Sequence, residues 1–280
     1  MKNKFSNIAG TTLVEILIGI VISVLMMAAI FTSYSAVNNT YSQVIDKAKI
    51  SQTGRDIIGM LIRDIRIAGF KYFDDVSKAP TNYIPILITK NSSSCDKLQL
   101  IYGDRNYNPK TSPPTYTYVT YKVTYECKAS NIVDKKTAQK IDAFAVYKSK
   151  SKWDGTKWQA ATTSTDDLLY TDELVVDHVQ DLIFNPLDEK GKLIDPVPNN
   201  LNGSNKIKVI DIAFSIRSQG EFFKNNKTKT MYSLGKKSNK NFTDKYLRES
   251  IVVTAHTRNC LLYTSPSPRD VEESRMPSSA

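Results

Sequence analysis

Gly10 to Phe31 reads GTTLVEILIGIVISVLMMAAIF, and it decides the fold. Leu13 to Phe31 carries one charge, Glu15. At ~1.5 Å per residue this run makes ~28 Å of helix, close to the hydrocarbon thickness of a bilayer. No other stretch is nearly as apolar. One membrane anchor is expected, followed by a polar, soluble remainder. Glu15 is the unusual residue, because a carboxylate in a spanning helix costs roughly 2.5–3.5 kcal/mol on insertion scales. It either reaches toward the headgroups or has a role.

The preceding residues favour a role. Met1 to Gly10 is a short polar leader with Lys2 and Lys4, and it ends in a glycine. A secretory signal is cut after its apolar core at small residues, and Ala28-Ala29 or Ser35-Ala36 would serve. A carboxylate inside such a core is out of place. The basic leader, the glycine and the following T-L-V-E resemble the class III signal of type IV prepilins. That resemblance implies cleavage between Gly10 and Thr11 by prepilin peptidase on the cytoplasmic face, then N-methylation of Thr11. The family carries phenylalanine at the first mature position, where this chain has Thr11. The resemblance also pairs Glu15 with the terminal amine of a neighbouring subunit, which offsets the cost of burying it.

The helix is expected to run on. From Thr32 to Ala68 there is no proline, and the glycines are Gly54 and Gly59. Val37, Tyr41, Val44 and Ala48, then Ile58, Leu61, Ile62 and Ile65, recur at helical spacing. The glycine leaves room for a break or a kink near Ser51 to Gly54, and Gly69 is a C-cap signal. The segment LIRDIRIAGF, with Arg63, Asp64 and Arg66 before Ala68-Gly69-Phe70, resembles minor pilins of the PilW type. The strand that ends in Arg258-Asn259 resembles the end of those chains as well.

Past residue 70 the pattern changes to short strands between turns. They are Tyr83–Ile88, Lys97–Tyr102, Tyr116–Tyr125, Ala143–Lys148, Leu174–Phe184, Ile207–Arg217 and Ser250–His256. Pro85 makes the first an edge strand or none. In the sixth, Ile210, Ile212, Phe214 and Ile216 alternate with Ile207, Val209, Asp211 and Ala213, so both faces are expected to be covered. WDGTKW, Trp153 to Trp158, predicts a hairpin that pairs two indoles for packing rather than as a glycan platform. Asp195–Ser204 and Lys224–Asn241 read as polar loops, and Asp188–Gly191 as a solvated turn without calcium-loop spacing.

Cys95 and Cys127 bracket two of these strands. If the strands are antiparallel neighbours, pairing 95 with 127 sets Lys97 opposite Tyr125 and Tyr102 opposite Thr120. A disulfide suits a domain outside the cytoplasm, and two free thiols suit a reducing compartment; given the membrane anchor, a Cys95–Cys127 disulfide is expected.

The chain has 280 residues and a net charge of +10, with two histidines and three cysteines. The lysines are dispersed, and no nucleic-acid motif accompanies them, so a solvated basic surface is expected and nucleic acid is an unsupported partner. There is no phosphate loop, nucleophile elbow or zinc motif. His178 and His256 lack a partner motif. Asp166-Asp167 and Asp172-Glu173 read as solvated turn carboxylates. No catalytic residue, metal site or cofactor is expected. Cys260 to Ala280, rich in serine and proline, resembles read-through beyond the native end.

The expected fold is α+β, a long N-terminal helix packed on an antiparallel β-sheet domain. Its parts are a leader (1–10), a transmembrane helix (11–31), an amphipathic helix (32–69), a periplasmic β domain (70–259) and a non-native tail (260–280). The resemblance implies a minor pilin in an initiating or capping complex, held in the inner membrane and later in the pilus. Its partners would be other minor and major pilins, prepilin peptidase and inner-membrane lipid. A type II secretion pseudopilin of the J kind shares these features. A membrane-anchored enzyme or adhesin with a conventional signal is the reading from another class.

Overall fold

A computed structural model describes residues 12–70, 80, 83–91, 95–108, 112–113, 115–133, 138–161, 169–231 and 240–257. The chain divides into two units, Met1–Lys49 and Ile50–Ala280. Helix α1, Leu13–Ile67, begins in the first and ends in the second.

In the first unit the large apolar side chains of α1 are open, except Ile45, which is half-buried. Leu13 to Phe31 is exposed throughout, and so are Val37, Tyr41 and Val44. Polar groups on this stretch turn inward to the helix itself. Ser23 Oγ donates to the Gly19 carbonyl at 2.7 Å and Thr40 Oγ1 to that of Ala36 at 2.9 Å. A side chain that satisfies itself in this way adds little cost in an apolar medium.

In the second unit the helix buries Ile50, Ile57, Ile58, Leu61 and Ile65 against an antiparallel sheet. Its strands are β1 (Ile86–Thr89), β2 (Lys97–Asn108), β3 (Thr115–Ala129), β4 (Phe144–Trp153), β5 (Trp158–Gln159), β6 (Tyr170–Leu187), β7 (Val209–Arg217), β8 (Lys227–Met231), β9 (Lys240–Asp244) and β10 (Arg248–His256). The order is β1-β2-β3-β4-β6-β7-β10, with β5 beside the end of β4 and β8 paired with β9 apart. This is the α+β arrangement expected from the sequence. The helix rests on alternate residues of the strands, including Leu98, Leu100, Val123, Tyr125, Phe184, Ile212 and Phe214. β7 is covered on both sides as expected, because Ala213 and Ser215 lie under Met231 and Phe242 of the β8–β9 hairpin.

Four local expectations are corrected. The helix does not break at Gly54. A Cβ there would stand 2.4 Å from Ile251 Cδ1, so the glycine makes room for β10 rather than ending the helix. The β2–β3 register is shifted by one from the cysteine-based estimate. Leu98 faces Tyr125 and Tyr102 faces Tyr121. A one-residue slip would turn buried Leu98 and Leu100 away from the helix, so burial sets the register. The supposed loop Lys224–Asn241 contains β8 and the start of β9, held through cross-strand pairs such as Thr228 with Thr243. Within Asp195–Ser204 there is a turn of helix, α2 (Leu201–Ser204), whose N-cap Asn200 accepts from Gly203 N.

Candidate anchor and assembly site

The N-terminus of α1 is a capping box. The Thr12 backbone N–H and hydroxyl donate to Glu15 Oε2 at 2.9 and 3.1 Å, and Glu15 N–H donates to Thr12 Oγ1 at 3.3 Å. Thr-x-x-Glu satisfies backbone donors that the first helical turn leaves open. The motif was visible in the sequence, although the resemblance drew attention to the charge instead. Gly10 and Thr11 lie outside the described residues. By length and composition α1 can cross a membrane.

Cys95 and Cys127 are joined in a disulfide with their Cα atoms 5.8 Å apart. The bond links the start of β2 to β3. Next to it, fully buried Asp96 accepts from Phe184 N at 3.0 Å, Asn91 N at 3.2 Å and Lys90 Nζ at 2.9 Å. Its own N–H donates to the Leu182 carbonyl. Asp96 therefore ties the corner beside the disulfide to β6. The three bonds that end on the Asp96 carboxylate have a charged acceptor, the kind that contributes most.

A second buried charge sits between α1 and the sheet. Asp64 Oδ2 accepts from the Tyr125 hydroxyl at 2.6 Å and pairs with Lys148 Nζ at 2.8 Å. Lys148 also lies 5.3 Å from the centre of the Tyr125 ring. Burial disfavours the charged form of Lys148, but the hydrogen bond and charge of Asp64 outweigh it and hold its pKa above the ordinary lysine value. Burial first, and then the Asp64 charge, push the Tyr125 hydroxyl far up. Asp64 belongs to the LIRDIRIAGF segment, whose Arg63 and Arg66 are exposed. Its partners are 61 residues or more away in the chain, so the segment alone gave no sign of them.

Both raised values have one consequence. A group held protonated in the folded state stabilises fully below its unfolded pKa and loses that contribution as pH rises toward the folded value. Stability is expected to be level up to about pH 10 and to fall beyond it, since unfolded tyrosine and lysine titrate near 10 and 10.4. Tyr125→Phe removes a bond to a charged acceptor, worth about 1.5–3 kcal/mol, and should make the alkaline fall shallower. Urea unfolding at pH 8 and pH 11 checks both. Equal stability at the two pH values would contradict the assignment.

The remaining candidates have structural surroundings. Trp153 faces Trp158 with ring centres 5.2 Å apart, and Lys122 Nζ lies 4.7 Å from the Trp158 ring centre. Gly155, at φ +103°, closes the hairpin, and Asp154 accepts from Lys157 N and Thr156 N. Those bonds hold the Asp154 carboxyl well below the usual carboxylate range. The indoles pack on each other and under a lysine, which is packing rather than a free platform. His178 occupies a β6 bulge at φ +63°. Burial, with Arg217 adding and Asp177 opposing, lowers its pKa and keeps the ring neutral. His256 is exposed on β10. Asp172 pairs with Lys128 at 2.6 Å, while Asp166, Asp167, Arg258, Asn259 and Cys260 lie outside the described residues.

No protein-family model matches the chain, and no curated protein matches it by sequence. Among solved structures it is similar to a type IV-like pilin from Thermus thermophilus, with a TM-score of 0.47 and 11% identity over 75% of this chain and 96% of that one.

Proposed function

We propose that this chain is a type IV pilin-like subunit of the minor, PilW-like kind, acting by assembly rather than by catalysis. The observation that carries the reading is Glu15, an acidic group five positions after Gly10, inside the one apolar helix. Two features of the fold support it. The helix continues into a half covered by an antiparallel sheet. Its first half leaves its apolar side chains open, as a segment destined for lipid or for neighbouring helices would.

On this reading prepilin peptidase removes residues 1–10 and Thr11 becomes the N-terminus, open to methylation. The helix then holds the subunit in the inner membrane with the β domain in the periplasm, where the disulfide is stable. In the pilus, α1 packs among those of other minor and major pilins. Glu15 there meets a neighbour's amine, which offsets the cost of an unpaired charge in apolar surroundings.

N-terminal sequencing of the mature protein is the direct test. Thr11 at position one is expected. A chain that starts beyond residue 28, or still at Met1, would overturn the reading. Glu15→Ala adds a second test. The variant should insert in the membrane normally yet be largely lost from sheared fibres on an immunoblot, whereas wild-type levels in fibres would count against the pairing.

A further inference from the structure

The two edges of the sheet differ. The β1 edge is four residues long, and Ser204 of α2 occupies it. Its hydroxyl accepts from Ile86 N at 3.1 Å and donates to the Ile86 carbonyl at 2.9 Å. The β10 edge is nine residues long and pairs with β7 without a register shift.

The ladder bonds show which groups of β10 are free. Ser218 N donates to the Leu247 carbonyl and Thr257 N to that of Lys208, so odd-numbered residues on this strand bond to β7. Backbone groups of the even-numbered residues therefore point away from the sheet. The Arg248 carbonyl takes Lys229 Nζ. Among the described residues, the N–H and C=O of Ser250, Val252, Thr254 and His256 have no backbone partner.

The usual protections of an edge are missing here. From Ser250 to His256 there is no proline, no lysine, no inward charge and no bulge. Val252 is 54% exposed on the outer face, and Ile251 and Val253 are half-buried on the helix face. Lysines stand at both ends, Lys229 by Arg248 and Lys208 opposite Thr257.

We propose that the β10 edge receives a strand donated by a different polypeptide, an extended segment with alternating apolar side chains flanked by carboxylates. A row of free backbone donors and acceptors is matched by another strand and by little else. The valine and isoleucine faces select apolar partners at alternate positions, and the terminal lysines select acids. A second copy of this chain is disfavoured by geometry. Antiparallel pairing of two β10 edges places a two-fold axis normal to the sheet, which reverses every direction in its plane. The sheet-packed segments of the two α1 helices, Ile50 to Ile65, would then run in opposite directions. That exclusion rests on the proposed membrane anchoring, whereas peptide binding reads the edge alone and is independent of the processing and Glu15 tests.

The probe is a labelled peptide, Glu-Val-Thr-Val-Thr-Val-Thr-Val-Glu, titrated by anisotropy into the full chain in detergent micelles. Saturable binding in the micromolar range is expected, as for other strand additions of modest area. Val252→Pro removes an N–H that points outward and leaves the β7 ladder intact, so the variant should fold and bind at least roughly tenfold more weakly. Peptide backbone chemistry gives a check that does not depend on that fold. N-methylation of the central threonines, opposite the even-numbered residues, should abolish binding to the unaltered chain. N-methylation of the central valines should not.

Four results would overturn the proposal. They are no binding up to about 1 mM, equal binding by folded Val252→Pro, equal loss or equal retention for the two methylated peptides, and a wild-type dimer in micelles that Val252→Pro dissolves. The last would assign the edge to a second copy.

Discussion

Asp64→Ala is expected to destabilise the β domain by about 3–5 kcal/mol, read from urea unfolding at pH 7. The size follows from what remains rather than from what leaves. Lys148, which is largely buried, would keep its charge without the carboxylate it pairs with, and the Tyr125 hydroxyl would lose its acceptor. Desolvated charges cost most when one of a pair is removed. The same logic predicts a rescue. Asp64→Leu combined with Lys148→Met replaces the pair by apolar side chains of similar length, and the double variant should recover most of the loss. A double variant no more stable than Asp64→Ala would contradict that account.

Removal of the staple is expected to have a comparable effect. Cys95 and Cys127 are 32 residues apart in sequence. Closure of a loop of that length restricts the unfolded chain by about 3–4 kcal/mol on the chain-entropy estimate. Cys95→Ser with Cys127→Ser should lower the urea midpoint by roughly 1–4 M, given slopes near 1–3 kcal/mol per M. Because Asp96 ties the same corner to β6 through Phe184 N and Lys90, the corner should keep its shape when reduced. The native-state structure should therefore change less than the midpoint. Amide exchange at Phe184 separates the two outcomes, since early exposure of that amide would mean that the disulfide, not Asp96, holds β6.

Much of this fold could be read from periodicity. The helix is marked by its apolar spacing, and β7 by apolar residues on both faces, because burial dictates both patterns. Other features were hidden for identifiable reasons. β8 and β9, KTKTM and KNFTD, carry lysine and threonine where strands usually carry apolar residues, and only Met231 is buried in them. Gly54 reads as a helix breaker until Ile251 is brought against it, and that contact joins residues almost two hundred positions apart. The cysteines point to a register one residue off because Cys95 lies before β2, where strand alternation does not apply, whereas the buried pair Leu98 and Tyr125 lies within the ladder. The bulge that carries His178 at positive φ has no local sequence signature, since neither glycine nor asparagine marks it.

The box at the start of α1 uses a single oxygen of Glu15. Both bonds from Thr12 end on Oε2, and Oε1 receives none within the described chain. One carboxylate can thus fasten its own first turn and still present a bare lone-pair edge to a stranger. Glutamine in its place would keep an oxygen for the turn and surrender the charge, and aspartate would keep the charge on a shorter arm. Helicity measured beside fibre content in these two variants would tell the domestic duty of this side chain from the social one.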